Sequence, residues 1–170
     1  MLRAIDRGYS AILRGMLGLA ALYLGMMMVI IVYYTLFRAF GLDYWTYSEI
    51  SIEFGFIYCL MLGAPWLVRE RGHVYIEIVT AAVSDGVRRI LSRFIAAFCF
   101  LVCLALAWYG GVLAWTDYTF PEIDVRGSHD IPRWIVTISL PIGFGFMSLE
   151  FLRYVFSKEP FHTGEAGVHE

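Results

Sequence analysis

The hydrophobic pattern of the chain consists mainly of four long apolar stretches separated by polar segments. These stretches run over Gly15–Phe37, Ile50–Val68, Phe94–Trp115 and Trp134–Phe156. Each approaches the roughly 20 residues that a helix needs to cross about 30 Å of hydrocarbon. In lipid every backbone polar group needs a partner, and these runs do not alternate as barrel strands do, so all four are expected to be helices. The pattern therefore predicts an all-α membrane protein with four transmembrane helices.

A different pattern lies between the second and third stretches. Polar positions recur at helical spacing from His73 to Arg93, and apolar positions fill the other face. The polar set is Glu77, Thr80, Ser84, Arg88 and Ser92. Such a segment lies along the membrane interface or packs on a neighbouring protein, so we expect an amphipathic interfacial helix between helices 2 and 3. The alternative is a loop, which Gly86 favours.

The chain divides into one domain and a tail. No linker or internal repeat separates two cores, so residues 1–157 are expected to form a single four-helix transmembrane domain. Residues 158–170 carry Pro160, Gly164, Gly167 and three glutamates with little that is apolar, which predicts a flexible tail.

Charge adds a prediction of sidedness. Most of the 13 basic residues lie before the first stretch, in the second connection or after the fourth stretch. Only Arg38, Arg126 and Arg133 lie in the other two connections. The positive-inside rule then places the amino terminus, the carboxyl terminus and the middle connection in the cytoplasm.

The sequence lacks the motifs that several classes of enzyme and cofactor-binding protein need. Cys59, Cys99 and Cys103 lie within spans without a C-x-x-C pair, and all four histidines lie outside the spans, which excludes haem ligands inside the bundle. There is no glycine-rich phosphate loop, metal-spaced cluster or nucleophile motif. We therefore expect no catalytic residue, no cofactor, no metal and no nucleic-acid partner.

Ionisable residues near the span ends are the remaining candidates, because buried charge in a membrane tends to mark a pathway or a contact. Glu49 and Glu53 share one face of the second helix. They pair with arginines of the two arginine-poor connections, or they contact another chain. Glu150 and Arg153, three residues apart, are expected to shield each other within the last helix.

Small residues four positions apart indicate where helices approach closely. Three such pairs occur: Ala21 with Gly25, Cys59 with Gly63, and Ala107 with Gly111. They predict close association, either within the chain or between chains.

Two motifs resemble a known family. The first begins at Glu49, continues through Gly63-Ala64 and Arg69, and ends in the run 73–77, His-Val-Tyr-Ile-Glu. The second joins the run 131–134, Ile-Pro-Arg-Trp, to the run 140–143, Leu-Pro-Ile-Gly, and Met147. In order and separation they resemble the small membrane subunit of tripartite ATP-independent periplasmic (TRAP) transporters. Pro65 departs from the family pattern, which more often has a small residue there.

The resemblance implies a bacterial inner-membrane protein that pairs with a large elevator-type permease subunit and helps dock a periplasmic substrate-binding protein. Sodium and an organic anion such as a carboxylate would be bound mainly by those partners. The implied contacts with subunits or lipids are Glu49, Glu53, Arg69, His73 and Glu77. We expect a periplasmic docking rim at Asp117, Glu122, Asp124, Arg126, Asp130 and Arg133.

Two other functions stay open. In one, the chain is a stand-alone small transporter that uses Glu53 as a proton-linked site. In the other, it anchors a redox complex in the membrane, although the missing span histidines argue against haem.

Overall fold

The structure, a computed structural model, describes residues 2–45, 47–70, 85–120, 123–126 and 129–156. Its elements are α1 (Leu2–Ala39), α2 (Tyr47–Arg69), α3 (Asp85–Thr119), β1 (Ile123–Arg126), β2 (His129–Pro132), α4 (Trp134–Thr137) and α5 (Ser139–Phe156).

The prediction of four spanning helices is confirmed. Four helical segments are long and apolar enough to cross a membrane: Asp6–Ala39, Tyr47–Arg69, Ile90–Thr119 and Trp134–Phe156. Each contains one of the predicted stretches, and the last coincides with its prediction. Large apolar side chains cover their outward faces, as Leu22 and Trp108 illustrate at 70% and 72% exposed. Such surfaces are suited to lipid, and the chain is a multi-pass membrane protein.

The predicted interfacial helix has two outcomes. Residues 71–84 lie outside the described part, and with them His73 and Glu77. From Asp85 to Arg93, however, the chain forms the first turns of α3 rather than part of a separate interfacial helix. The apolar positions of that segment continue into the third span, so a single helix accommodates both. The tail predicted at 158–170 also lies outside the described residues.

The turn after α1 depends on a glycine. Gly41 has a φ of 65°, a left-handed conformation that costs other residues energy. Its N–H donates to the carbonyl of Arg38 at 3.2 Å, and the N–H of Leu42 donates to the carbonyl of Phe37 at 2.9 Å. This pair of bonds is the Schellman arrangement, and it satisfies carbonyls that the end of the helix leaves without partners.

The principal helix contacts run in the order α1–α2–α5–α3. The helices nearest in sequence therefore pack in two pairs, α1 with α2 and α3 with the last span. The α2–α5 contact joins the pairs. A buried cluster of Ala64, Val68, Cys103, Met147 and Phe151 forms where α2, α3 and α5 meet.

Small residues at these contacts let the helix backbones approach closely. The buried face of α3 carries Ser92, Ala96, Cys103, Gly110, Ala114 and Asp117. The α2–α5 contact is close at Gly143, where an added Cβ would lie 2.7 Å from the Cβ of Met61. In lipid, where apolar burial drives association weakly, such backbone proximity lets van der Waals contacts hold the helices together.

The predicted small-residue pairs have different outcomes. Gly63 faces α1, and a Cβ added to it would lie 3.9 Å from the Cβ of Ala20. The Cys59 thiol donates to the Ala20 carbonyl at 3.5 Å. A Cβ added to Gly111 would likewise lie 3.9 Å from the Cβ of Pro141. Gly25 meets nothing within 4 Å, and Ala21 is exposed. That pair forms no close contact among the described residues.

A short antiparallel ribbon, which the sequence pattern did not predict, connects α3 to α4. Strand β1 pairs with β2 so that Ile123 lies opposite Pro132 and Arg126 opposite His129. With only four residues in each strand, the ribbon leaves the chain an all-α protein. It holds the backbone of much of the predicted docking rim in one compact connection.

Candidate functional site

Four charged side chains from three helices meet at one end of the molecule, and we call them the Arg69 cluster: Asp6 of α1, Arg69 of α2, and Glu150 and Arg153 of α5. Arg69 is the last residue of α2, while Arg153 lies in the last turn of α5. The start of α1 and the end of α5 therefore lie at the same end of the molecule. That both termini face the cytoplasm stays a prediction.

The buried half of the Arg69 cluster is the pair Arg69 and Glu150. Nη1 of Arg69 lies 3.8 Å from Oε1 of Glu150, whose side chain is 1% exposed. Both atoms are buried and have no hydrogen-bond partner within the described part of the chain. Their attraction is therefore electrostatic, acting across a gap longer than a hydrogen bond. Because water is excluded, each charge depends strongly on the other.

The exposed half of the cluster is built on Asp6, which is 51% exposed. Its Oδ1 lies 3.0 Å from Nη1 of Arg153 and 3.6 Å from Nη2 of Arg69. The predicted pair Glu150–Arg153 therefore gives way to contacts between helices. Arg153 binds Asp6 of α1, and Glu150 faces Arg69 of α2.

Two tyrosines contact Arg69, one at its guanidinium and one at its backbone carbonyl. The guanidinium lies 5.9 Å from the ring centroid of Tyr9, a distance typical of a cation–π contact. The Tyr154 hydroxyl donates to the Arg69 carbonyl at 2.5 Å, which satisfies an acceptor at the end of α2. Tyr9 also stacks near Phe146, with ring centroids 6.2 Å apart. The side chain of Arg69 therefore points into the protein and is only 16% exposed.

The opposite end of the helices carries a second set of contacts, the Tyr34 network, made of Tyr34, Arg38 and Glu49. Nη1 of Arg38 donates to the Tyr34 hydroxyl at 2.6 Å, and that hydroxyl donates to Oε1 of Glu49. The ring of Tyr44 packs edge-on against Tyr34. Arg38 and Glu49 thus interact through a tyrosine, which partly realises the predicted pairing of Glu49 with an arginine.

The last span is fixed at this same end. The Tyr58 hydroxyl of α2 donates to the carbonyl of Ile135 in α4. Trp134 packs edge-on against Tyr118 of α3, with ring centroids 5.8 Å apart. The hydroxyl of Ser139 donates to the Val136 carbonyl at 2.7 Å and bridges the short break between α4 and α5. These contacts fix α4 against α2 and α3.

The predicted rim residues are distributed unevenly. Asp117 is 6% exposed, and its Oδ2 is buried without a hydrogen-bond partner among the described residues. Asp124, Arg126 and Asp130 lie on the paired strands, and Glu122 lies outside the described part. Arg133 precedes α4, where its carbonyl accepts the N–H groups of Val136 and Thr137.

Sequence reasoning missed two residues that organise these sites. Asp6 stands 63 positions before Arg69, and no local pattern connects them. Tyr34 lies in a run of apolar residues, where its hydroxyl gives no periodic signal. Glu49 and Glu53, by contrast, were named from the sequence, and both are exposed on α2. Among the described residues, no group of three His, Cys, Asp or Glu side chains converges as metal ligands do.

Comparison with known proteins gives a family. The sequence model described as tripartite ATP-independent periplasmic transporters, DctQ component, matches residues 27–160. The chain is 30% identical over 107 residues to the sialic acid TRAP transporter permease protein SiaT of Haemophilus influenzae (strain 86-028NP). It is 25% identical over 114 residues to the C4-dicarboxylate TRAP transporter small permease protein DctQ of Pseudomonas aeruginosa PAO1.

The extent of these matches differs. The first alignment covers 63% of this chain and 17% of its relative, and the second covers 62% and 51%. The chain thus corresponds to about half of one relative and to a small part of the other. No solved structure matches it significantly.

Proposed function

Because this chain belongs to the DctQ component family of tripartite ATP-independent periplasmic transporters, we propose that it is the small membrane subunit of such a transporter, paired with a large permease subunit. A family of transporter components is not a family of enzymes. The observation that carries the proposal is the family match over four apolar helices whose charged side chains are concentrated at their ends. The second relative is itself named a small permease protein.

The distribution of charge favours a scaffold role for the subunit rather than a role in binding the substrate. Apart from the Arg69 cluster and the Tyr34 network, the described spans carry two acidic residues. Glu53 lies a single helical turn from Glu49, and Asp117 lies in the last turn of α3. A carboxylate substrate or a sodium ion would need polar partners along its route, because a bare charge in hydrocarbon is costly. The partner chains would therefore bind sodium and substrate. The subunit would hold the stationary part of the permease in register and widen the footprint against which the mobile part slides.

The proposed substrate class comes from the names of the two relatives rather than from residues of this chain. The two relatives are named for a sialic acid and a C4-dicarboxylate, which are both organic acids. We propose sodium-coupled uptake of an organic anion of this class across the bacterial inner membrane. Most arginines lie at the Arg69 end, so that end would face the cytoplasm and the Tyr34 end the periplasm.

Assembly with the permease gives the direct test of the subunit's function. When the chain is coexpressed with the large permease subunit and extracted in mild detergent, the two are expected to copurify. Liposomes that contain the small chain alone are expected to show no solute uptake. Uptake by the chain alone that Glu53→Gln abolishes would instead establish the stand-alone transporter, and a bound haem or quinone would establish the redox anchor.

The docking rim gives a second prediction. Glu122 and Asp124 belong to the connection between α3 and α4, which would lie on the periplasmic side, where charged residues steer a soluble partner. Reversing both to lysine is expected to weaken binding of the substrate-binding protein about fivefold, mainly through a slower and less salt-dependent association. Binding kinetics on the reconstituted complex measure this change.

The matched control is Glu70→Lys, an exposed acidic residue at the opposite end of α2. If the double reversal and the control give the same association rate, Glu122 and Asp124 do not belong to the rim. Asp117, whose side chain is buried, would contribute to packing beneath the rim rather than to the contact itself.

A further inference from the structure

We propose that Arg69 and Arg153 form a binding site for the phosphodiester group of an anionic membrane lipid, and that Asp6 occupies this site in the isolated chain. The first observation is convergence. Two guanidinium groups from different helices approach the same carboxylate oxygen of Asp6, at 3.6 Å and 3.0 Å. Paired arginines that meet at one point are a common means of recognising phosphate, because their planar forks match its oxygens.

The second observation is that Asp6 satisfies the site only in part. Its Oδ1 lies 3.6 Å from Nη2 of Arg69, which is longer than a hydrogen bond. A carboxylate that meets both arginines with one oxygen offers less than a phosphodiester, whose two non-bridging oxygens share the charge and can each face one arginine. Asp6 is also half exposed, near the start of α1, so it can leave without opening the buried cluster of α2, α3 and α5.

The third observation is the local charge. With Asp6 withdrawn, Arg69 and Arg153 contribute two positive charges and Glu150 one negative charge, which leaves a net charge of plus one. That balance matches a phosphodiester, which carries a single negative charge. Glu150 stays buried behind Arg69 and therefore limits the site to a monoanion. Asp6 would then act as an internal substitute that keeps the site neutral until a lipid replaces it.

The fourth observation is depth. Arg69 ends α2, and Arg153 lies in the last turn of α5, so the site is level with the ends of two spans. Headgroup phosphates lie at this level, just outside the hydrocarbon. The inference depends on the chain's placement in a membrane but not on pairing with a permease.

The test uses the purified full chain, freed of lipid in detergent, with two probes that share the same acyl chains. Dioctanoyl phosphatidylglycerol carries the phosphodiester, and dioctanoylglycerol lacks it. The wild-type chain is expected to bind the phospholipid more tightly. Arg153→Gln is expected to weaken that binding about tenfold, as loss of a charge-assisted contact does. Asp6→Asn is expected to strengthen it severalfold, because it removes the competing carboxylate.

Two exposed residues at the same end provide controls of equal charge change: Arg93→Gln for the arginine and Glu70→Gln for the aspartate. Both are expected to leave the affinity unchanged, and gel filtration checks that each variant is folded. The proposal is overturned if Asp6→Asn fails to strengthen binding beyond Glu70→Gln, or if Arg153→Gln weakens it no more than Arg93→Gln. Displacement of the phospholipid by inorganic phosphate at equal concentration would overturn the lipid as the ligand.

Discussion

Replacing Arg69 by alanine is expected to destabilise the folded chain by about 3 kcal/mol, because it leaves Glu150 buried without its counter-charge. The carboxylate is 1% exposed, and Oε1 has no hydrogen-bond partner in the described structure. A buried charge keeps little of its hydration, so losing the nearby guanidinium costs more than losing a surface ion pair, which contributes about 1 kcal/mol or less. Unfolding in detergent measures the change.

The double variant Arg69→Ala with Glu150→Ala separates the cause. Removing both charges is expected to recover part of the lost stability, because no isolated carboxylate remains. If the single and double variants are equally unstable, packing of the arginine stem explains the loss instead. Copurification with the large permease tests the other proposed role. A well-folded Arg69→Ala chain that no longer copurifies would place Arg69 at the subunit contact.

Gly143→Ala is expected to destabilise the chain by about 3 kcal/mol, at the upper end of the cost of overpacking. The new Cβ would lie 2.7 Å from Cβ of Met61 and 2.8 Å from its carbonyl oxygen. A side chain can change rotamer, but the backbone oxygen can move away only if α2 and α5 separate. The thermal unfolding midpoint of the purified chain measures the effect.

The control for Gly143 lies two residues further along the same helix. An added Cβ at Gly145 meets nothing within 4 Å. Gly145→Ala is therefore expected to leave stability unchanged or to raise it by up to about 1 kcal/mol, since alanine favours a helix over glycine. Equal behaviour of the two variants would contradict a close α2–α5 contact at Gly143.

The spans could be predicted from the sequence because the length of an apolar run is a local property. Gly15–Phe37 and Trp134–Phe156 needed only a count of residues against bilayer thickness. The faces of the helices could not be predicted in the same way. A helix in lipid is apolar all round, so no amphipathic stripe distinguishes the inner side. An added Cβ at Gly25 meets nothing within 4 Å in the described chain, while Gly143 makes a close contact between α2 and α5.

The charged sites show the same limit. Glu150 and Arg153 are three residues apart, and that spacing suggested an intrahelical pair, which stabilises a helix by only about 0.2–0.5 kcal/mol. Packing of α1 and α2 beside α5 offers each charge a partner on another helix. The contact of Glu150 with Arg69 prevails because the Glu150 carboxylate is buried, whereas sequence spacing carries no information about burial. Arg69 was predicted to be a contact residue. Its contact with Asp6 could not be predicted, because it arises only from the way α1 packs beside α2.

The order α1–α2–α5–α3 also bears on biogenesis. Consecutive helices form two hairpins, and each hairpin can leave the translocon with its own partner already beside it. The contacts between the hairpins, such as Met61 with Gly143 and Arg69 with Glu150, must then form by lateral diffusion of one finished hairpin toward the other. Synthesis would thus deliver two preassembled halves, and their late union would complete the subunit.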